Sequence, residues 1–189
     1  LNSTAGGDSI TNGYQTYKFV SGDARIMGGE FMFDVHPFDC LHIENSFSYV
    51  NSIQLNQPDS TRYLPMTPAP KWKTDVRLDI LRHGNVLRNG YINVGVESYF
   101  AQNHYYEAYG TETRTPGYSL LYAGIGGDVI HKGHTLFSLY MTGNNLTDVA
   151  YQSHLSRLKY EDVNNVTGRT GVYNMGRNFS IKLLVPINL

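Results

Sequence analysis

Apolar and polar residues alternate with a period of two along much of the chain. The pattern is clearest in residues 72–80, where every even position except Thr74 is apolar and every odd position is Lys, Asp or Arg. Side chains of a β-strand point alternately to opposite faces of the sheet. This segment therefore predicts a strand with one apolar face and one charged face.

The same alternation recurs in six further segments, so we predict seven strands in all. The first extends from a strand that begins near Tyr14 and bends at residues 21–23, and Asn45 and Asn51 interrupt the apolar face of the second. The predicted strands cover residues 27–35, 41–49, 72–80, 92–100, 121–129, 137–141 and 179–187.

The links between these segments alternate strictly in length. Short links at residues 36–40, 83–89 and 131–133 alternate with long links at residues 54–71, 104–116 and 148–175. Outer-membrane barrels have short turns at one end and long loops at the other. We therefore predict an all-β, antiparallel, up-and-down transmembrane β-barrel.

A soluble β-sandwich or a small self-contained barrel remains the alternative, because a sheet packed on one face also alternates. Bacterial single-chain barrels have an even number of strands. With seven strands here, we expect further strands upstream. Residues 1–7 carry neither an initiating Met nor a signal-like apolar segment, and we expect that earlier segments were removed.

Composition argues against several classes of function. The formal charge of −1 gives no basic field for nucleic acid, and no run reaches the roughly 18 apolar residues of a transmembrane helix. Cys40 is the only cysteine, so this stretch forms no internal disulfide or thiolate metal cluster.

No catalytic motif or phosphate loop occurs, and we interpret His131 and His134 as part of a solvated turn. We predict a protein that is not an enzyme and has no cofactor or metal.

Residues 143–151 carry the most specific motif. Asn145, Leu146, Asp148 and Tyr151 match an Asn-Leu-x-Asp-x-x-Tyr pattern that resembles the signature near the C-terminus of TonB-dependent outer-membrane receptors. Segments that resemble the same family lie in the same order along the rest of the chain, at residues 24–30, 64–70, 152–157 and 173–178.

The resemblance implies that residues 1–189 are the C-terminal portion of a barrel of about 22 strands with a plugged lumen. It also implies a place in the bacterial outer membrane and uptake of a scarce nutrient, such as a ferric siderophore, haem or cobalamin, energised by TonB. The implied partners are lipid, the plug domain of the same full-length chain, the TonB complex and the nutrient. The ending at residues 185–189 departs from the family's usual aromatic terminus, and residues 159–170 form a longer link than usual.

Four groups of residues follow from the alternation and the resemblance. Tyrosines near the strand ends are expected to form interfacial girdles. As a function, a surface adhesion protein remains a second alternative to a transport receptor. Side chains expected to face lipid are Trp72, Val76, Leu78, Ile80, Ile92, Val94, Val96, Phe137, Leu139, Ile181, Leu183 and Val185. Side chains expected to face the lumen, against the plug or paired with one another, are Lys73, Asp75, Arg77, Asp79, Glu97, Asp128 and Lys182. Candidates for ligand contact in the external loops are His104, Tyr105, Tyr106, Tyr109, His154, Arg157 and Tyr160.

Overall fold

Seven long strands dominate the computed structural model, which describes residues 10–11, 14–15 and 22–187. Short helical turns occur only in the links, at α1 (Asp59–Arg62) and in two 3-10 turns, Ala108–Gly110 and Arg157–Tyr160. The strands are β1 (Ile10–Thr11), β2 (Tyr14–Gln15), β3 (Ala24–Phe38), β4 (Leu41–Gln54), β5 (Lys71–Leu81), β6 (Leu87–Tyr99), β7 (Tyr118–His131), β8 (His134–Asn144) and β9 (Asn178–Leu184).

Strands β3 to β9 form one sheet in chain order, and each strand is antiparallel to the next. The predicted all-β, antiparallel, up-and-down arrangement of seven strands is confirmed. The predicted extension of the first strand back to Tyr14 is wrong, because β3 begins at Ala24 and Tyr14–Gln15 pairs with Ile10–Thr11 in a separate ribbon. Residues 16–21, where part of that extension was expected, lie outside the described residues.

The short and long links lie at opposite ends of the sheet, because consecutive antiparallel strands reverse direction. The three short links, at residues 39–40, 82–86 and 132–133, share one end, and the long links, at residues 55–70, 100–117 and 145–177, share the other. In the part of the chain that the structure describes, no helix has the length and apolar composition needed to cross a bilayer. The predicted sorting of links by length is confirmed.

The strand register assigns each side chain to a face, since residues directly opposite in an antiparallel pair share a face. Val76 of β5 lies opposite Ile43 of β4 and Val94 of β6, which continues the apolar face across three strands. Of the residues expected to face lipid, Ile80 lies at a register irregularity and Val185 lies beyond the end of β9. The other ten fall on this same face.

The apolar face is not covered by a second layer of protein in the described structure. The side chains of Trp72, Leu78, Val94 and Leu183 are 37%, 38%, 49% and 58% exposed. Only three hydrophobic residues of the described chain are buried, namely Ile53, Tyr106 and Ile130. A soluble sandwich would bury one face of this sheet against another, whereas here both faces are open.

Tyrosine rings cover glycines on the polar face. A Cβ atom added to Gly95 would meet the Tyr122 ring, and one added to Gly126 would lie 2.5 Å from the Tyr140 ring and 2.8 Å from the Tyr91 ring. The absent side chains leave room for the rings to lie flat on the sheet, a cross-strand arrangement known as aromatic rescue. These glycines are therefore required by close packing between strands.

Candidate functional site

Three polar side chains on the apolar face are joined by a short chain of hydrogen bonds. The indole Nε1 of Trp72 donates to Thr74 Oγ1 at 3.0 Å, and the Thr74 hydroxyl donates to Asn45 Oδ1 at 2.7 Å. Asn45, which interrupts the apolar pattern in the sequence, is itself buried. Because unsatisfied polar groups are costly in hydrocarbon, this chain lowers the cost of placing these three side chains against an apolar solvent.

Aromatic residues cluster on the apolar face near the long links. The Phe47 ring lies 6.0 Å from the Trp72 ring and 6.4 Å from the Phe100 ring, and Phe31 lies 5.4 Å from Phe33. Trp72 is the second residue of β5, directly after the long link 55–70. Such a band resembles the aromatic girdle that outer-membrane barrels carry at the membrane interface.

Most strand tyrosines point to the opposite, polar face, so the predicted tyrosine girdle is wrong. The register places Tyr91, Tyr99, Tyr118, Tyr122 and Tyr140 beside charged or polar neighbours. The Arg77 guanidinium lies 3.9 Å from the centre of the Tyr91 ring. These tyrosine rings therefore lie among the polar side chains of this face, and they do not form the interfacial girdle that was expected.

The seven residues expected to line the lumen all fall on this polar face by register. Several pair with one another or with neighbours: Lys71 Nζ lies 3.1 Å from Glu97, and Asp79 accepts hydrogen bonds from Arg77 at 2.9 Å and His42 at 3.2 Å. The same face carries Asp75 and Asp128, which accept from side chains of adjacent strands. The polar face is a network of neighbouring charges and hydrogen bonds.

The family-like motif builds the turn that opens the third long link. Asn145 is buried with a φ of 48°, and its amide group donates to Val149 O at 2.9 Å while its Oδ1 accepts from Val149 N at 2.9 Å. Asp148 Oδ1 accepts from the backbone N of Arg177 at 2.9 Å, one residue before β9. These side chains therefore join the two ends of the link.

The other two motif residues pack at the base of the same link. The backbone N of Leu146 donates to Leu121 O at 2.8 Å. The Tyr151 ring lies 4.4 Å from the Tyr118 ring, which in turn lies 4.8 Å from the Tyr99 ring. The motif thus has a structural role in this chain, anchoring the long link to β7.

A buried polar cluster, which we call the loop cluster, holds the three long links together. Its members are Thr67 of the first link, Gln102, Glu112 and Thr115 of the second, and His154 and Lys159 of the third, all of them buried. Glu112 accepts from the backbone N of Met66 at 2.7 Å and from that of Tyr106 at 3.0 Å. Gln102 donates to Thr67 O at 3.0 Å. One acidic and one amide side chain thereby fasten the first link to the second.

Lys159 fastens the third link to the second. Its Nζ donates to Thr113 O at 2.9 Å, to Arg114 O at 3.0 Å and to Thr115 Oγ1 at 2.7 Å. A lysine ammonium has three donors and no acceptor, so these bonds use its whole capacity. The three links therefore form one connected cap over their end of the sheet.

The bonding of Lys159 favours one tautomer of His154. Thr115 Oγ1 accepts from Lys159, so its own hydrogen is free to be donated to His154 Nδ1, 2.8 Å away. In that tautomer the ring hydrogen is on Nε2, which is buried without a hydrogen-bond partner and lies 3.9 Å from Glu112 Oε2. The two side chains are only 1% and 2% exposed.

Burial sets the protonation of these groups. Burial lowers the pKa of His154, the nearby Glu112 carboxylate partly opposes this shift, and the positive charge of Lys159 adds to it. Burial also lowers the pKa of Lys159, again opposed by Glu112. The cluster therefore favours a neutral His154 beside a bonded ammonium.

The structure divides the candidates for ligand contact into two groups. Tyr106 and His154 are buried inside the cap, so they are not open to a ligand and instead hold the links together. His104, Arg157 and Tyr160 are exposed and Tyr105 is half-buried, while the side chain of Tyr109 lies outside the described residues. The His104 ring stacks on the Tyr63 ring at 4.6 Å, a contact that sequence spacing did not indicate.

The histidines at the short link 132–133 lie opposite one another in the register of β7 and β8. In the described part of the chain, no group of three or more His, Cys, Asp or Glu side chains is close enough to hold a metal ion. The loop cluster was missed from the sequence because its members are 35 to 44 residues apart in the pairs that bond. No local pattern marks such pairs.

The faces, the register and the sorted links define an up-and-down antiparallel sheet of the barrel type. Among solved structures this fold matches that of the copper transporter OprC, with a TM-score of 0.69 and 18% sequence identity over 87% of this chain and 24% of that one. This chain thus spans about a quarter of the length of that structure. No protein-family model matches the chain, and no curated protein matches it either.

Proposed function

We propose that the chain forms part of the wall and the external loops of a TonB-dependent transporter in the bacterial outer membrane. Its apolar face contacts acyl chains, its polar face lines the lumen against a plug domain, and its long links face the cell exterior. The role is transport, without catalysis by this chain.

A single observation supports this proposal most strongly. One face of the sheet is apolar and uncovered, with Trp72, Thr74 and Asn45 bonded to one another on it, and the other carries paired charges. In water, exposure of such a face would cost about 25 cal/mol for each Å² of apolar surface. The same face is favourable in lipid, provided that the backbone is satisfied by neighbouring strands.

The edges of the sheet support a larger assembly. Within the described residues, β3 and β9 each pair with one strand only, and unpaired backbone groups are not tolerated in hydrocarbon. A wall of about 22 strands from the same full-length chain would supply the missing neighbours. The proposal therefore includes upstream strands, a plug domain and a segment that contacts TonB.

The nutrient is proposed as a class. The family resemblance favours a ferric siderophore, haem or cobalamin, and the fold shared with a copper transporter adds copper ions to that set. Exposed His104, Arg157 and Tyr160 on the cap are the candidates for first contact, because aromatic rings and cations suit a bulky chelate.

The test is made with the full-length gene in a Gram-negative host. Fractionation of the cells should place the product in the outer membrane as a heat-modifiable barrel. Uptake is then measured with labelled iron chelates, haem, cobalamin and copper, in cells with and without TonB. The proposal predicts TonB-dependent uptake of one of these nutrients. A detergent-free, monodisperse product in the soluble fraction would contradict it and favour a soluble ligand-binding protein, whereas a barrel that has no plug would favour the adhesion alternative.

A further inference from the structure

A cavity of about 310 Å³ lies in the third long link, beside a small hairpin. This volume is at the lower end of the range for small-molecule sites, roughly 300 Å³. Much of the cavity belongs to residues 159–170, the stretch that is longer than the usual family link. Its polar lining comes from Asp162, Asn164, Thr167, Arg169 and Tyr173.

The hairpin that forms one wall of the cavity is held by its own hydrogen bonds. Val163 pairs with Thr170 in an isolated antiparallel bridge, and the backbone N of Asn164 donates to Arg169 O at 2.9 Å. At the turn, Asn164 Oδ1 accepts from the backbone N of Thr167 at 3.1 Å. The wall therefore has a defined backbone, which fixes where its side chains begin.

The base of the hairpin is attached to the rest of the cap. Gln152 Nε2 donates to Thr170 O at 3.0 Å, and the backbone N of Gly171 donates to Glu161 O at 3.0 Å. Gly171 has a φ of 72°, and a Cβ atom there would collide with the carbonyl of Lys159. Glycine is therefore required where the hairpin meets the loop cluster.

The cavity contains one anionic and one cationic side chain, and neither is paired. Within the described residues, the carboxylate of Asp162 and the guanidinium of Arg169 form no ion pair or hydrogen bond, with each other or with another group. The Arg169 guanidinium lies 5.0 Å from the centre of the Tyr173 ring. Packing on a ring restrains a guanidinium while its N–H groups stay available. Both charges are thus available to a ligand.

Two unpaired charges of opposite sign restrict the class of ligand. A ligand with only a negative charge would bring that charge near Asp162, and a ligand with only a positive charge would bring it near Arg169. A neutral ligand would displace water from both side chains without pairing either, which is costly. A zwitterion pairs both at once through charge-assisted hydrogen bonds.

We propose that this cavity binds a small zwitterion, a molecule with a free ammonium and a free carboxylate, such as a short peptide. Arg169 holds the carboxylate and Asp162 holds the ammonium. The inference rests on the proposed function, because it requires the long links to face the exterior, where a nutrient arrives. It goes further in naming two charged groups that the nutrient carries.

Isothermal titration calorimetry of the full-length protein in detergent tests the proposal with three peptides that differ only at their ends. Tri-alanine carries both charges, N-acetyl-tri-alanine lacks the ammonium, and tri-alanine amide lacks the carboxylate. The parent should bind tri-alanine at millimolar concentrations or below. Each blocked peptide should bind at least about tenfold more weakly, because it loses one charge-assisted contact and leaves one side chain unpaired.

Two variants assign the charges to their side chains. Asp162→Asn should bind tri-alanine and N-acetyl-tri-alanine alike, because the ammonium has lost its partner. Arg169→Gln should bind tri-alanine and tri-alanine amide alike. Glu161→Gln is the matched control, because it removes a carboxylate next to Asp162 that does not line the cavity, and it should bind as the parent does. The heat-modifiability of each variant shows that it is folded.

The parent's binding decides the inference. Equal binding of the three peptides, or no binding of tri-alanine, would overturn it, as would a folded Asp162→Asn variant that still prefers tri-alanine to the acetylated peptide. Either result from a heat-modifiable outer-membrane barrel would refute the cavity alone. A water-soluble product that binds tri-alanine as described would instead refute the proposed function and leave the cavity as a binding site.

Discussion

Single side chains on the apolar face determine whether hydrocarbon tolerates the sheet. Val94 and Leu78 lie near the middle of β6 and β5, and both are exposed on the face where their cross-strand neighbours are also apolar. Met32 lies on the opposite face, beside Ser46 of β4 and between Glu30 and Asp34 along its own strand. A positive charge should therefore have opposite consequences at these positions.

Arginine substitutions test this assignment of faces. Val94→Arg and Leu78→Arg should each destabilise the inserted full-length protein by about 2–4 kcal/mol, the cost of a charge at the bilayer midplane. Met32→Arg should assemble as the parent does, because its side chain would enter a wet, acidic environment. The yield of heat-modifiable barrel in outer membranes measures the assembly of each of the three variants. If Val94→Arg and Leu78→Arg assembled as well as Met32→Arg, the assignment would be wrong.

The hydroxyl of Thr74 is the central link of the hydrogen-bonded chain from Trp72 to Asn45. Thr74→Val keeps the shape of the side chain but leaves an indole N–H and an amide oxygen without a partner, so we expect a loss of about 1–3 kcal/mol in the free energy of unfolding. Thr74→Ser retains the hydroxyl and should lose much less. Urea unfolding of the full-length protein in lipid vesicles provides the comparison. Equal stability of the two variants would show that the hydroxyl contributes nothing.

At the scale of elements, strands and links were predictable to different degrees. Strands β3 to β9 followed from alternation, because a sheet with one apolar and one polar face forces a period of two. Residues such as Tyr91 and Tyr122 were harder to assign, since a tyrosine suits either an interface or a polar wall, and the glycines opposite them settle the choice. The loop cluster was not predictable, because Glu112, His154 and Lys159 meet only through tertiary structure.

The loop cluster gives the cap a dependence on pH. The pKa of His154 within the closed cap lies below its ordinary value of 6.5, so opened links bind a proton more readily than the closed cap does. Protonation therefore favours opening as the pH falls below about 6.5. Above that pH the imidazole is neutral in both states, and the full stability of the cap is retained.

Hydrogen exchange measures this effect. The backbone amides of Met66 and Tyr106, which Glu112 binds, should lose protection between pH 7.5 and pH 5.5 after correction for intrinsic exchange rates. His154→Gln removes the titrating ring and should flatten the dependence. The same loss of protection in the parent and in His154→Gln would exclude His154 as its source.

At the scale of the whole molecule, we propose that the sheet is a wall whose two faces meet different solvents. The described chain buries very few hydrophobic side chains, and its outer strands β3 and β9 each lack a second neighbour. On the proposed function, such a sheet is stable only when other strands complete it and lipid covers its apolar face. Whole-molecule stability is thus expected to depend on the full-length barrel and on the membrane.

Spin labels along β6 test the two-faced wall most directly. Cysteines for labelling replace Ile92, Val94 and Val96 on one face and Asn93 and Glu97 on the other, each in the full-length protein in lipid vesicles. The account predicts high accessibility to oxygen, which dissolves in hydrocarbon, at the first three positions, and high accessibility to a water-soluble nickel chelate at the other two. Uniform protection from both reagents, or the opposite phase, would contradict it.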